Sequence, residues 1–152
     1  MQDWQTAVKQ TMRQAAEKEA QRKFDSKHPP FQYRWEHVTA VVTNALKLAE
    51  LTGADREVVE AAAWLHDVRK ETGDAHPIEG AIFARTFLPQ TSFPPEKIER
   101  VAQAIEDHMG LWRDKPLTNL ESQVLWDADK LAKLGLTAVF HWSPDWVARG
   151  TA

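Results

Sequence analysis

At 152 residues the chain has room for one domain with a buried core, and its 43% apolar and 27% charged residues exclude disordered, collagenous and disulfide-stapled classes. A formal charge of -3 and a pI near 6.1 give no global attraction for nucleic acid, which is not expected as a partner. Zero cysteines remove thiolate nucleophiles and cysteine-held zinc or iron–sulfur centres, so any metal must be held by His, Asp or Glu.

Apolar residues recur at helical spacing and β-branched alternation is nearly absent, which predicts an all-α chain of about six to seven helices in one bundle. Residues from about Asp3 to Phe24 form a polar helix with a weak apolar stripe, closed by Asp25–Ser26 and Pro29–Pro30 and expected to dock only loosely as a peripheral segment over 1–25. A second helix spans about Arg34 to Leu51, with Val38, Val41, Val42, Ala45, Leu46 and Ala49 on one face, and stops at Gly53. Asp55 caps a third helix that buries Val58, Val59, Ala62 and Leu65 and runs to about Val68. After a loop over Glu71 to Ala75, Pro77 sits at a first helical position, which puts His76 near the N-cap of a helix ending at Leu88. Ile98, Val101, Ala102 and Ile105 mark a fifth helix that stops at Gly110. A sixth runs from about Leu120 to Leu134, and a weakly patterned one starts near Leu136. Residues 34–134 are thus the core and 135–152 a C-terminal segment. No apolar run approaches the roughly 18 residues of a membrane span, and the first residues lack a leader's apolar stretch, so a cytoplasmic protein is expected.

Ionisable residues interrupt these apolar stripes. His37 precedes Val41 by one turn, His66 follows Ala62, His108 follows Ala104 and Ile105, and Asp129 lies between Leu125 and Ala132. A single inward histidine is usually a hydrogen-bonded core residue, whereas four inward ionisable groups on different helices must pair with one another or share a cation. Imidazole nitrogens and carboxylate oxygens suit Mn, Fe, Co, Ni or Zn better than Mg or Ca.

The pattern resembles the HD superfamily of metal-dependent phosphohydrolases: a lone histidine in Trp35-Glu36-His37, the doublet in His66-Asp67-Val68-Arg69-Lys70, and a later aspartate in Asp127-Ala128-Asp129-Lys130-Leu131. The resemblance covers about Arg34 to Leu134 and implies His37, His66, Asp67 and Asp129 as metal ligands; Asp127 reads as a cap or solvated acid, with a supporting role behind the ligands left open. It further resembles the subgroup with His-Asp-Ile-Gly-Lys followed by His-Pro-x-x-Gly-Ala, here His76-Pro77-Ile78-Glu79-Gly80-Ala81, and a later histidine, here His108. In binuclear relatives such residues hold a second ion with the doublet aspartate bridging. One ion is therefore expected and a second is open, with Asp67 between them and His76 and His108 on the second. Arg69 replaces the family's glycine and brings bulk and charge beside the doublet, while the Gly-Tyr-Pro motif of cyclic-dinucleotide phosphodiesterases is absent.

Such a centre implies hydrolysis of a small phosphorylated substrate, a phosphomonoester, phosphodiester or nucleotide, by metal-activated water. Asp67 would orient or deprotonate that water. Lys70, one turn beyond His66, and Arg34, one turn before His37, are the phosphate-binding candidates, each also readable as a solvated cation. Glu36, His28 and His141 are left outside the site. Two other readings stand beside this one: a regulatory or ligand-binding module that keeps the helical shell without turnover, and a di-iron oxygenase. Oligomeric state leaves no mark in the sequence.

Overall fold

A computed structural model describes residues 1–134, so the helix expected from Leu136 and His141 lie outside the described residues. Six α-helices fill these residues: α1 (Trp4–Phe24), α2 (Tyr33–Thr52), α3 (Arg56–Leu65), α4 (His76–Phe87), α5 (Ile98–Asp107) and α6 (Leu120–Ala132). Short 3-10 turns stand at Lys70–Ala75, Leu88–Gln90 and Pro95–Lys97. The only β pairing among the described residues is an isolated bridge between Gln2 and Thr91. No helix among them is long and apolar enough to cross a membrane.

The bundle is organised around α3, which packs against α1, α2, α5 and α6. Nearly every residue from Val58 to Leu65 is buried, as a helix surrounded on all sides must be. Its start is fixed by Asp55, whose carboxylate accepts from the Glu57 and Val58 amides. It ends three residues earlier than the apolar stripe suggests, because the chain passes through tight turns at Val68 and Lys70 (Val68 N–H to Leu65 O, Lys70 N–H to Asp67 O). That early end places His66 and Asp67 at a helix terminus, where neighbouring side chains escape the 100° separation of a continuing helix.

Helix α4 crosses close beneath this terminus. A Cβ at Gly80 would meet Ile105 Cγ2 at 3.1 Å and the His66 carbonyl at 3.6 Å, so the missing side chain is what lets α4 approach α3 and α5. Helix α2 packs along α6 and carries His37 toward the same point.

Helix α1 departs from the loose docking expected of it. It buries Trp4, Ala7, Val8, Met12, Ala16 and Ala20, a stripe spaced three and four apart. Small alanines and a weak overall apolar content disguise that stripe in the sequence. Its start is also pinned: the Trp4 N–H donates to Ser92 Oγ at 3.1 Å, the Ser92 N–H donates to Gln2 O at 2.9 Å, and the Trp4 ring meets Phe93 edge-on at 5.1 Å.

Candidate metal centre

Six side chains singled out by the sequence converge where α2, α3, α4, α5 and α6 meet: His37, His66, Asp67, His76, His108 and Asp129 are all buried. Ligand-type atoms of His37, His66 and Asp129 lie within 4.8 Å of one another, as do those of His66, Asp67 and His108.

Main-chain carbonyls hold three of the four imidazoles. Nδ1 of His66 donates to Ala63 O at 2.7 Å, that of His76 to Gly73 O at 2.6 Å, and that of His108 to Ile105 O at 2.6 Å. A carbonyl only accepts, so each Nδ1 carries the proton and each Nε2 presents a lone pair to the interior. The three carbonyls stand in the last turns of helical segments, and those of Gly73 and Ile105 also accept the backbone N–H of His76 and His108. At Gly73 the backbone reaches φ 64°, ψ -129°, the conformation of the first central position of a type II′ turn, which favours glycine and aims its carbonyl at His76.

The carboxylates complete two neighbouring nests. Asp67 Oδ2 is 3.5 Å from His66 Nε2 and 3.7 Å from His37 Nε2; Asp129 Oδ1 is 3.0 Å from His37 Nε2 and 3.9 Å from His66 Nε2. Asp67 Oδ1 faces the other way, 3.3 Å from His76 Nε2 and 3.8 Å from His108 Nε2, and those two nitrogens are 3.2 Å apart. Ligands of one ion at about 2.1 Å stand about 3.0–3.4 Å apart, so the closest of these spacings fit coordination shells and the rest need small adjustments. The buried Nε2 atoms of His37 and His66 have no hydrogen-bond partner, although His37 Nε2 is so near Asp129. The His66 Nε2 lone pair, its proton committed to Nδ1, faces carboxylate oxygens directly, a juxtaposition that a cation relieves, and these buried groups could hold a divalent metal.

Protonation agrees with that. Burial pushes the His66 imidazole down to about 3 against the pull of Asp67, leaving it neutral. Burial opposes ionisation of Asp67, yet the surrounding imidazoles of His66, His108 and His76 and the Arg34 guanidinium outweigh it and hold the carboxyl well below its usual range. Asp129 is held low in the same way, with burial outweighed by His37, His66, Lys130 and Lys133.

Other residues fall as follows. Lys70 Nζ stands 3.3 Å from His76 Nε2 and 3.7 Å from Asp67 Oδ1, with its side chain 37% exposed, so it reaches from solvent to the rim of the second nest. Arg34 does not present its fork to solvent: Nε and Nη2 hold the two oxygens of Glu19 at 2.9 and 3.2 Å, and Nη1 lies 2.5 Å from Asp67 Oδ2. Arg69 turns outward and pairs with Glu71 at 3.4 Å. Asp127, Glu36 and His28 are exposed and remain apart from the cluster.

Three side chains escaped sequence reasoning. Lys130 and Lys133 hold Asp129 Oδ2 at 2.7 and 3.1 Å, which leaves Oδ1 for the histidines. Lys130 also donates to His108 O at 2.7 Å, tying α6 to the end of α5. The i,i+4 spacing of Asp129 and Lys133 was a legible signal. Glu19 gave none, since its contact crosses the Pro29–Pro30 turn.

Comparison with known proteins agrees with this geometry. The HD domain family model matches residues 34–134, the span that carries every one of the six clustered residues. An uncharacterized protein of Clostridium beijerinckii is 31% identical over 99 residues, covering 62% of this chain and 60% of the relative. A bifunctional uridylyltransferase/uridylyl-removing enzyme of Bradyrhizobium diazoefficiens is 43% identical over 54 residues, 36% of this chain and 6% of that protein. The chain thus spans less than two thirds of either curated relative. Among solved structures, a predicted HD superfamily hydrolase from an uncultured Thermotogales bacterium superposes with a TM-score of 0.68 at 24% identity, covering 91% of this chain and 74% of that one, which shows a shared fold. With the match running through the whole histidine–aspartate cluster, the chain belongs to the HD domain family.

Proposed function

We propose that the protein is a metal-dependent phosphohydrolase that cleaves a small phosphate ester or nucleotide by attack of water. One observation carries this reading: Asp67 turns its two oxygens to two different groups of inward imidazole Nε2 atoms, Oδ2 to His37 and His66, Oδ1 to His76 and His108. His37, His66, Asp67 and Asp129 would hold a first divalent ion, chosen from Mn, Fe, Co, Ni and Zn by their chemistry; Asp67, His76 and His108 would hold a second, if one binds.

A divalent ion bound there supplies a water acidic enough to lose its proton near neutral pH and a positive charge for a phosphoryl oxygen. The chain supplies the rest. Asp67, anionic and set between the two nests, orients the attacking water. His66, His76 and His108 keep their Nε2 lone pairs inward because their protons are committed to carbonyls. Lys70, at the rim beside His76, pairs with a phosphate oxygen of the substrate. Arg34 was the other expected phosphate ligand, but its fork lies between Glu19 and Asp67, so it serves the carboxylate rather than the substrate. The names of the similar proteins, a predicted hydrolase and a uridylyl-removing enzyme, favour hydrolysis over a module without turnover or a di-iron oxygenase.

The test is metal analysis of protein purified without chelator, followed by a screen of phosphomonoesters, phosphodiesters and nucleotides with Mn, Co, Ni and Mg. Turnover abolished by Asp67→Ala and kept by Asp127→Ala is the expected result. Protein that takes up no metal and cleaves no phosphate ester supports the binding module instead, and oxygen consumption with iron supports the oxygenase.

A further inference from the structure

Outside the six clustered residues, one buried charge arrangement joins the site to a helix that the family match does not include. Glu19 lies on α1, fifteen residues before the matched span begins at 34. Its two oxygens grip Arg34 Nε and Nη2, and the remaining arm of the same guanidinium reaches Asp67 Oδ2. The Arg34 side chain is 11% exposed, that of Glu19 33% and that of Asp67 3%, so the pairings run inward from the protein's edge to the centre of the cluster.

Alone, this guanidinium would work against cation binding. It sits on the very oxygen that faces His37 and His66, and a positive charge there repels an arriving dication and competes for the carboxylate. Glu19 changes that balance. Gripped by two oxygens, Arg34 and Glu19 together carry no net charge, so Arg34 still fixes the direction of Oδ2 while Asp67 keeps its negative charge for the ion. Pinning Oδ2 also fixes Oδ1 toward His76 and His108, which divides one carboxylate between the two nests.

We infer that Glu19 is a positioning residue for the metal centre: by neutralising and orienting Arg34 it sets the charge and aim of Asp67, and it raises the affinity of the cluster for divalent cations. The inference rests on the metal-centre reading above. It makes α1 part of the working site.

The experiment is titration of the chelator-stripped full chain with Mn and with Co by calorimetry, without substrate, on wild type, Glu19→Gln and Glu19→Asp. Groups that directly hold a metal ligand, as Arg34 holds Asp67, are typically worth tenfold to a hundredfold in affinity; Glu19 acts through Arg34, so Glu19→Gln is expected to bind about fivefold to tenfold more weakly. Glu19→Asp, which keeps the charge, is expected to recover most of that loss. The visible spectrum of the Co-loaded protein should shift in Glu19→Gln, since the carboxylate facing the ion is re-aimed. Gln5→Ala, which removes another contact of α1 with the bundle at Glu60, serves as the control and should change neither readout. The inference is overturned if Glu19→Gln binds both ions as wild type does, or if Glu19→Asp is no tighter than Glu19→Gln. It is also overturned if the affinity loss matches an equal loss of stability in the stripped protein. Wild type that binds neither ion overturns the metal-centre reading and this inference together; wild type that binds while Glu19→Gln is unaffected removes only the latter.

Discussion

His76 and His108 face each other with their Nε2 atoms 3.2 Å apart while both Nδ1 protons are given to main-chain carbonyls. In that pose lone pair is set against lone pair, an arrangement stabilised by a cation between them. If this nest holds its own ion, His76→Ala or His108→Ala should lower the bound metal from two equivalents to one and spare the ion held by His37, His66 and Asp129. Elemental analysis of each variant after saturation and desalting checks this; unchanged stoichiometry refutes it.

Gly73 supports the same nest from the main chain. At φ 64° an alanine is strained, although open space surrounds the site of its Cβ. Gly73→Ala should therefore cost about 1–2 kcal/mol in denaturant unfolding, from backbone conformation alone. Displacing the carbonyl that anchors His76 should also weaken any ion held by the second nest.

Asp55 concentrates the structural electrostatics away from the cluster. It caps α3, accepts from Lys97 Nζ at 3.1 Å and pairs with Arg100 at 3.1 Å. Burial opposes its ionisation, but Lys97, the Val58 amide and Arg100 outweigh burial and hold the carboxyl below its ordinary value of 3.8. A carboxylate with a lower pKa in the folded state binds fewer protons there than in the unfolded chain, so its contribution is full above about 4 and fades as pH falls below that. Asp55→Ala should cost about 1–2 kcal/mol at pH 7. The deficit of Asp55→Asn relative to wild type should shrink on acidification, as urea unfolding at pH 7 and pH 3 will show; a deficit independent of pH contradicts it.

Met12 tests how firmly α1 docks. It is fully buried between α1 and the rest of the bundle. Met12→Ala should lower stability by about 2–5 kcal/mol, whereas a loosely attached helix would make the change nearly silent. Thermal and denaturant unfolding of the metal-free protein distinguish the two.

Much of the architecture was legible because helices announce themselves by period and punctuation. Gly53, Asp55 and Pro77 mark boundaries of α2, α3 and α4 within a few residues of where they fall. The clustered residues were legible for a related reason: imidazoles and carboxylates on apolar stripes are costly, so they had to meet. What escaped was decided by contacts between distant segments. The docking of α1 depends on alanines too small to register as a stripe, and on Ser92 and Phe93 nearly ninety positions away. The partners of Arg34 depend on how α1 and α2 are set against each other, which no local pattern records. The end of α3 at Leu65 likewise comes from the turn that follows rather than from its own apolar spacing.

That stop at Leu65 has a cost built into it. If α3 ran on for another turn, the Asp67 amide would claim the Ala63 carbonyl and the His66 ring would lose its anchor. Substitutions around Val68 and Arg69 chosen to strengthen the helix would thus be rewarded in thermal stability and penalised in ion capture, a conflict that ordinary stabilisation strategies would meet here first.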